Sequence, residues 1–159
     1  MDDLFRHLHI PPELACQFLG VFSRMEYALK STRYAKGGVK GVDPAWDKFA
    51  NAINDEFLAL SSKEIVEARN YLFDKPPKKQ VLAGNRIMFI DQTIDNNQKP
   101  AQQLLLMVRT VRNNLFHGGK YLPEGETEAG RNHELVKHAL NILLSCSKID
   151  HEVRSSFER

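Results

Sequence analysis

The chain has 159 residues, of which 42% are hydrophobic and 26% charged, and its formal net charge is +2. This length suits one domain with a real core, and the composition is globular rather than disordered. No stretch approaches the roughly 18 consecutive apolar residues of a membrane span, and the acidic N-terminus is unlike a signal peptide. We therefore expect a single cytoplasmic domain over residues 1–159, with no membrane contact. The slight positive charge permits a nucleic-acid partner but does not argue for one.

The spacing of apolar residues is helical over most of the chain. It predicts helices with these approximate limits: Pro12 to Leu29, Pro44 to Leu60, Ser61 or Ser62 to Phe73, Pro100 to Phe116, and Asn132 to Lys148 or on toward Phe157. Asp43 is the expected N-cap of the second helix, and Gly118-Gly119 is the expected stop of the fourth. The predicted fold class is all-α, a bundle of four to five helices.

The segment from Lys75 to Pro100 is the least regular part of the chain. Val81-Leu82 and the run from Ile87 to Ile90 are short and apolar, so they fit either strands or buried loop. Gly37-Gly38 and Gly41 break the helical pattern between the first two helices. Strand signals are too sparse to predict an α/β sheet.

No metal or cofactor is expected. Cys16 and Cys146 have no near cysteine neighbour, so we expect two reduced thiols. His7-x-His9 lacks a third ligand of suitable type nearby. The run from His133 to His138 is one residue too long for the HExxH zinc pattern, which excludes that site.

Polar groups concentrate where the apolar fourth helix ends. Arg112 can hold a phosphate with two parallel hydrogen bonds, and His117 can give or take a proton near neutral pH. Asn113 and Asn114 offer orienting hydrogen bonds, and Lys120 adds a point charge. RNA cleavage without a metal needs these roles: a base deprotonates the ribose 2′-OH, a cation stabilises the phosphorane, and an acid protonates the leaving 5′-oxygen. The product would be a 2′,3′-cyclic phosphate.

The same residues resemble the HEPN superfamily, whose motif is an arginine, four to six residues, and a histidine, usually with a polar residue directly after the arginine. Here Arg112 is followed by Asn-Asn-Leu-Phe and His117, with Asn113 in the polar position. The continuation into Gly-Gly-Lys is similar to small bacterial members. The resemblance implies a helical bundle that forms a homodimer, with the two motifs facing each other. It also implies a metal-independent endoribonuclease of a toxin–antitoxin or anti-phage system, with RNA as substrate and a cognate antitoxin or defence partner.

Other interpretations stay open. Some members of that superfamily bind RNA, nucleotides or proteins without cutting, and a purely structural helical adaptor is a further alternative. Arg131 and His138 also fit the loose motif, although they open a helix instead of closing one. On an ideal helix, residues five apart lie about 140° apart, so Arg112 and His117 converge only if the last turn unwinds or a second subunit completes the site.

Two weaker candidates accompany the motif. Glu26 and Lys30 lie four residues apart on the first helix, where they could form a surface ion pair. Alternatively, the carboxylate could hydrogen-bond Arg112 or His117 and orient that side chain without touching the substrate. Lys75, Lys78 and Lys79 form a basic cluster that could follow an RNA backbone or simply be solvated.

Overall fold

The computed structural model describes residues 8–118 and 128–159, and within them the protein is mainly helical. The helices are α1 (Pro12–Lys30), α2 (Trp46–Ala59), α3 (Lys63–Asp74), α4 (Pro100–Phe116), α5 (Arg131–Cys146) and α6 (His151–Glu158). The strands are β1 (Ala35–Gly38), β2 (Gly41–Pro44), β3 (Lys79–Ala83) and β4 (Arg86–Ile90). The prediction of a helical protein is confirmed, but the prediction of a purely all-α bundle is wrong because two antiparallel hairpins are present.

The core forms around α5, which packs against α1, α3 and α4. Leucine, isoleucine, valine and alanine side chains cover its buried face, and they meet the aromatic and aliphatic stripe of α1. The predicted apolar stripe of α2 is also confirmed, since Trp46, Phe49, Ile53 and Phe57 are all buried. Each buried side chain of this size contributes roughly 1.5–3 kcal/mol of transfer free energy. Apolar burial therefore holds the helices together.

Two polar side chains fix the ends of helices. Buried Asn54 on α2 accepts a hydrogen bond of 3.2 Å from the Ala101 amide and so satisfies one free donor at the start of α4. Arg69 on α3 donates to the carbonyl oxygens of Phe57, Leu58 and Leu60, where α2 ends. The Asn54 bond holds the first turn of α4 against α2, and the Arg69 bonds hold the end of α2 against α3.

The helix limits confirm some predicted caps and correct others. Ser62 is the N-cap of α3, and its hydroxyl accepts from the Ile65 amide. Asp43 is not the cap of α2, because it lies in β2 and the helix begins at Trp46 after Ala45. The last predicted helix is two helices, since Asp150 caps a separate α6.

The glycine-containing segment between α1 and α2 forms an antiparallel hairpin rather than an irregular loop. β1 pairs with β2 so that Lys36 lies opposite Asp43, and Gly37 lies opposite Val42. Gly37 has a φ of 121°, and a Cβ there would lie 2.3 Å from the Gly41 carbonyl oxygen. Glycine is therefore required at this position for the two strands to approach each other.

The less regular segment after α3 is a second hairpin. Val81-Leu82 and the run from Ile87 to Ile90 pair as β3 and β4, which settles the choice that the sequence left open. Asn114 on α4 donates to the Lys78 carbonyl oxygen at 2.8 Å and ties the hairpin to the bundle. Among residues 8–118 and 128–159, no helix is both long and apolar enough to cross a bilayer.

Candidate functional site

An open groove of about 260 Å³ lies where α1, the carboxyl-terminal half of α4 and the β1–β2 hairpin meet. We call it the α1–α4 groove. It brings together three of the predicted site residues, Glu26 from α1 and Arg112 and Asn113 from α4. The other residues that line it are Phe22, Lys36, Asp43, Pro44, Trp46 and Arg109.

Aromatic rings and a neighbouring amide hold the guanidinium of Arg112. Its Cζ lies 5.4 Å from the centre of the Phe22 ring and 4.8 Å from that of Phe116. Its Nη1 donates to the Asn113 Oδ1 at 3.0 Å, while its Nε is buried and has no hydrogen-bond partner among the described residues. A guanidinium carries five N–H donors in a fixed plane, and the two on Nη2 have no partner among the described residues, so they stay free for an anion.

The charged residues of the groove do not neutralise one another. Three cations (Lys36, Arg109 and Arg112) and two carboxylates (Glu26 and Asp43) line it. Within the described part of the chain, none of the five forms an ion pair. Glu26, Arg109 and Arg112 are half-buried, which strengthens the field they exert on a ligand. The groove thus offers unpaired donors and unpaired acceptors side by side.

His117 lies at the point where α4 ends. It is the C-cap, and its amide donates to the Asn113 carbonyl oxygen at 2.9 Å. Gly118 follows with a φ of 75°, so the chain leaves the helix here as the sequence predicts. The His117 side chain is exposed, and it is not one of the residues lining the α1–α4 groove. One chain therefore presents Arg112 in the groove and His117 beside it.

Three of the weaker site predictions fare differently. Asn114, which was predicted to bind substrate or to orient the groups that do, is only 4% exposed, donates to the Lys78 carbonyl oxygen and does not line the groove. Lys30 is half-buried, forms no ion pair with Glu26 in the described structure, and does not line the groove. Lys120 lies outside the described residues.

The second match to the loose motif is built into the fold. Arg131 donates to the Pro76 carbonyl oxygen at 2.8 Å and lies 3.6 Å from a carboxylate oxygen of Glu128. His138 is 6% exposed, with its ring against Tyr71 and its Nε2 3.1 Å from a Glu134 oxygen. Burial lowers the pKa of His138 below its usual value, although Glu134 opposes the shift. These contacts favour Arg112 and His117 as the functional pair.

The basic cluster near the second hairpin is partly neutralised. Lys75 pairs with Glu128, which raises the pKa of the lysine, and Lys78 lies 3.8 Å from Asp91. Lys79 is exposed in β3. The cluster is better explained as a solvated and paired surface than as a track for RNA. Over the described residues, no group of three His, Cys, Asp or Glu side chains is placed to hold a metal ion, and His7 lies outside them.

Sequence reasoning missed six of the nine groove residues, and among these Arg109 had a usable signal. Arg109, Arg112, Asn113 and Phe116 follow the spacing i, i+3, i+4 and i+7, which places them on one stripe of α4. Arg109 could therefore have been assigned with Arg112. Lys36 and Asp43 line the groove because the β1–β2 hairpin packs against α1, and Trp46 lines it from the start of α2, and no local pattern encodes these contacts.

Comparison with known proteins adds no relative from which a function could be transferred. No protein-family model, no curated protein and no solved structure matches this chain.

Proposed function

We propose that this protein is a HEPN-type endoribonuclease that cuts RNA without a metal ion and leaves a 2′,3′-cyclic phosphate. The observation that carries the proposal is the state of Arg112, whose guanidinium is oriented by two rings in an open groove and is not neutralised by a described carboxylate. Arg109 adds a second unpaired cation to the same groove. Such a pair of guanidinium groups suits a phosphodiester.

The roles follow from the chemistry of transesterification. A base removes the proton of the 2′-OH, the oxygen attacks the adjacent phosphorus, and the bond to the 5′-oxygen breaks as an acid supplies a proton. Arg112 stabilises the added negative charge on the phosphorane. Asn113 accepts from Arg112 and holds it in place. His117 is assigned the proton transfer in this mechanism, because an imidazole can act as a general acid or base.

The position of His117 bears on how the site is completed. It is exposed beside the groove rather than in it, and its neighbour Phe116 has 52% of its surface exposed. A second copy that covers Phe116 would bring its own His117 toward the groove. The proposed active form is therefore a homodimer in which Arg112 of one chain works with His117 of the other.

The first experiment incubates the pure protein with a mixed RNA pool in EDTA. Wild type should cleave ribose strands and leave 2′-deoxy strands intact, and Arg112→Ala and His117→Ala should each abolish cleavage. Arg154→Ala and His151→Ala are matched controls, because both residues are exposed on α6, away from the groove. Retained cleavage by His117→Ala would remove His117 from the mechanism.

Mixing the two inactive variants tests the shared site. If Arg112 and His117 act across a two-fold interface, each mixed dimer contains one intact pair and one doubly defective pair. Random exchange then restores about a quarter of wild-type activity. No restoration, or a monomeric mass by light scattering, would contradict the shared site.

A second function is supported by the same position of His117. A groove that contains oriented cations but not His117 can bind RNA, a nucleotide or a partner without cutting. That function predicts RNA binding by both wild type and His117→Ala, with cleavage by neither.

The proposed biological role is that of a toxin or an anti-phage effector with a cognate partner. Expression of wild type should then slow growth, and expression of His117→Ala should not. Equal growth of both strains would contradict this role.

A further inference from the structure

The α1–α4 groove contains more than a phosphate site needs. A phosphodiester is attracted by Arg109 and Arg112, but the carboxylate of Glu26 in the same groove repels it. Glu26 forms no ion pair among the described residues, so it is not there to neutralise either arginine. An unpaired, half-buried carboxylate is an acceptor of hydrogen bonds, and its natural partner is a group with N–H donors.

The donor groups of an RNA strand identify what Glu26 would accept. Phosphates and sugar ring oxygens supply none, the ribose 2′-OH supplies a single O–H, and base edges supply N–H groups. Guanine presents N1–H and N2–H side by side, which matches the two oxygens of one carboxylate. Adenine and cytosine place a ring nitrogen acceptor beside their amino group, and uracil places carbonyl oxygens beside its single N–H. A carboxylate therefore accepts two parallel hydrogen bonds from the Watson–Crick edge of guanine and only one from the same edge of the other three bases, which favours guanine.

The size and lining of the groove fit one nucleotide. Its volume of about 260 Å³ is close to the lower end of small-ligand pockets, which begin near roughly 300 Å³. Its cations lie on α4 and the hairpin, and Glu26 lies on α1. A bound nucleotide can place its phosphate on the α4 arginines and its base toward α1.

We infer that the α1–α4 groove binds a guanosine of an RNA strand, with the Watson–Crick edge of guanine on Glu26 and its 3′-phosphate on Arg109 and Arg112. This rests on the proposed function for the identity of the strand as RNA. It adds a base preference, cleavage after guanosine, that the Arg112–His117 motif by itself does not contain. Asp43 is exposed and lies opposite Lys36 across the hairpin, so it is not the base-reading group.

A binding experiment tests the base preference without requiring cleavage. Trp46 is the one tryptophan of the chain and lines the groove, so its fluorescence reports occupancy directly. The probes are the four nucleoside 3′-monophosphates. Wild type should bind 3′-GMP about tenfold or more tightly than the adenine, cytosine and uracil nucleotides. Equal affinity for all four would overturn the inference.

Three substitutions locate the preference. Glu26→Gln replaces one acceptor oxygen by a donor and removes the charge that repels the phosphate, so discrimination between 3′-GMP and 3′-UMP should disappear while 3′-UMP binds at least as tightly as it does to wild type. Asp43→Asn removes the same charge from the same groove and should keep the preference, which separates base reading from overall electrostatics. Glu13→Gln, on the exposed first turn of α1, should also keep it. A preference unchanged in Glu26→Gln, or lost in Asp43→Asn, would overturn the assignment.

Two further measurements distinguish an RNA strand from a free guanine nucleotide as the ligand, and the nuclease proposal from the guanine-binding inference. A 2′-O-methyl oligonucleotide with one guanosine should bind more tightly than GTP, and the reverse result would indicate a free nucleotide as ligand and contradict the inference. Mapped cleavage products of the wild type should end in guanosine cyclic phosphate. If no RNA is cut but 3′-GMP is preferred, the nuclease proposal fails while guanine recognition stands. If RNA is cut without base preference, guanine recognition fails and the nuclease proposal stands.

Discussion

The guanidinium carbon of Arg112 lies 4.8 Å from the centre of the Phe116 ring, one helical turn further along α4. Phe22 of α1 contacts the same group at 5.4 Å. Aromatic faces attract a cation without cancelling its charge, in contrast to a carboxylate partner. Arg112 is therefore oriented and keeps its full positive charge, with its terminal Nη2 donors, which have no partner among the described residues, free for an anion. This arrangement distinguishes it from Arg131, which is paired with Glu128.

Replacing Arg112 by lysine tests whether binding needs the two parallel hydrogen bonds of a guanidinium or only its positive charge. Arg112→Lys keeps one positive charge but loses the planar donors and the ring contacts. We expect kcat/KM on an oligoribonucleotide to fall by about tenfold or more, since one bidentate contact is worth at least about 1.5 kcal/mol. Phe116→Leu should cost only about two- to fivefold, in line with an exposed cation–π contact. Full activity of Arg112→Lys would show that a point charge is sufficient.

The β1–β2 hairpin can be perturbed by a single methyl group. In Gly37→Ala the new Cβ would meet the Gly41 carbonyl oxygen at 2.3 Å, so the strands must separate and Lys36 and Asp43 must move. Gly38→Ala is the matched control, because a Cβ there has nothing within 4 Å. We expect Gly37→Ala to weaken RNA binding severalfold by filter binding, and Gly38→Ala to leave it unchanged. Equal affinities would exclude the hairpin from the site.

The helices could be read from the sequence because their apolar residues repeat at helical intervals. The stripe from Trp46 to Phe57 and the cap at Ser62 were predicted from such local signals and are present. The helical spacing of buried residues on α4 also includes Asn114. This residue lies three residues after Val111 and seven after Met107, on the buried face of α4, so its burial could have been predicted from the same spacing.

The hairpins and the groove could not be read in this way. β1 and β2 consist largely of exposed residues and glycine, so they show no alternation of polar and apolar side chains. Their pairing depends on the backbone freedom of Gly37 and on contacts with α1, which are tertiary. The sequence therefore places Arg112 and Asn113 in a site but does not reveal that Lys36 and Asp43 face them.

Asp150 connects the end of the chain to the segment after α1. Its Oδ1 accepts from the amides of Glu152 and Val153, and its Oδ2 accepts from the hydroxyl of buried Tyr34 and from Arg33. Asp150→Ala removes the cap and leaves the Tyr34 hydroxyl without its acceptor. We expect the free energy of unfolding at pH 7, measured with urea, to fall by about 2–4 kcal/mol. Asp150→Asn keeps a cap oxygen and should lose less.

The charge of Asp150 should also make this contribution depend on pH. Partial burial acts to raise the pKa of Asp150, but the Val153 amide, Tyr34 and Arg33 outweigh it, so the pKa is lowered. Because the pKa is lower in the folded state, the ionised carboxylate stabilises the protein at pH values above the unfolded pKa of about 3.9. This contribution to the free energy of unfolding is lost as the pH falls through the folded pKa. The difference between wild type and Asp150→Asn should therefore shrink below about pH 4. A constant difference down to pH 3 would contradict the charge as its source.

His138 should produce a separate pH dependence closer to neutrality. Burial lowers its pKa more than Glu134 raises it, and its Nδ1 is buried without a partner among the described residues. The folded protein thus resists protonating this ring, whereas the unfolded chain accepts a proton near pH 6.5. Stability from this residue is complete above that pH and declines as pH falls, which is the sign expected for a buried neutral histidine.

The test compares urea unfolding of wild type and His138→Gln between pH 7.5 and pH 5. Glutamine can still bond Glu134 but does not titrate, so the variant should be less stable at pH 7.5 and should lose less stability on acidification. His151→Gln is the matched control, because His151 is exposed at the start of α6 and its substitution should leave the slope unchanged. The lowered pKa of Glu134 places its own titration below this window. Parallel curves for wild type and His138→Gln would show that the buried ring does not set the acid sensitivity of the α3–α5 contact.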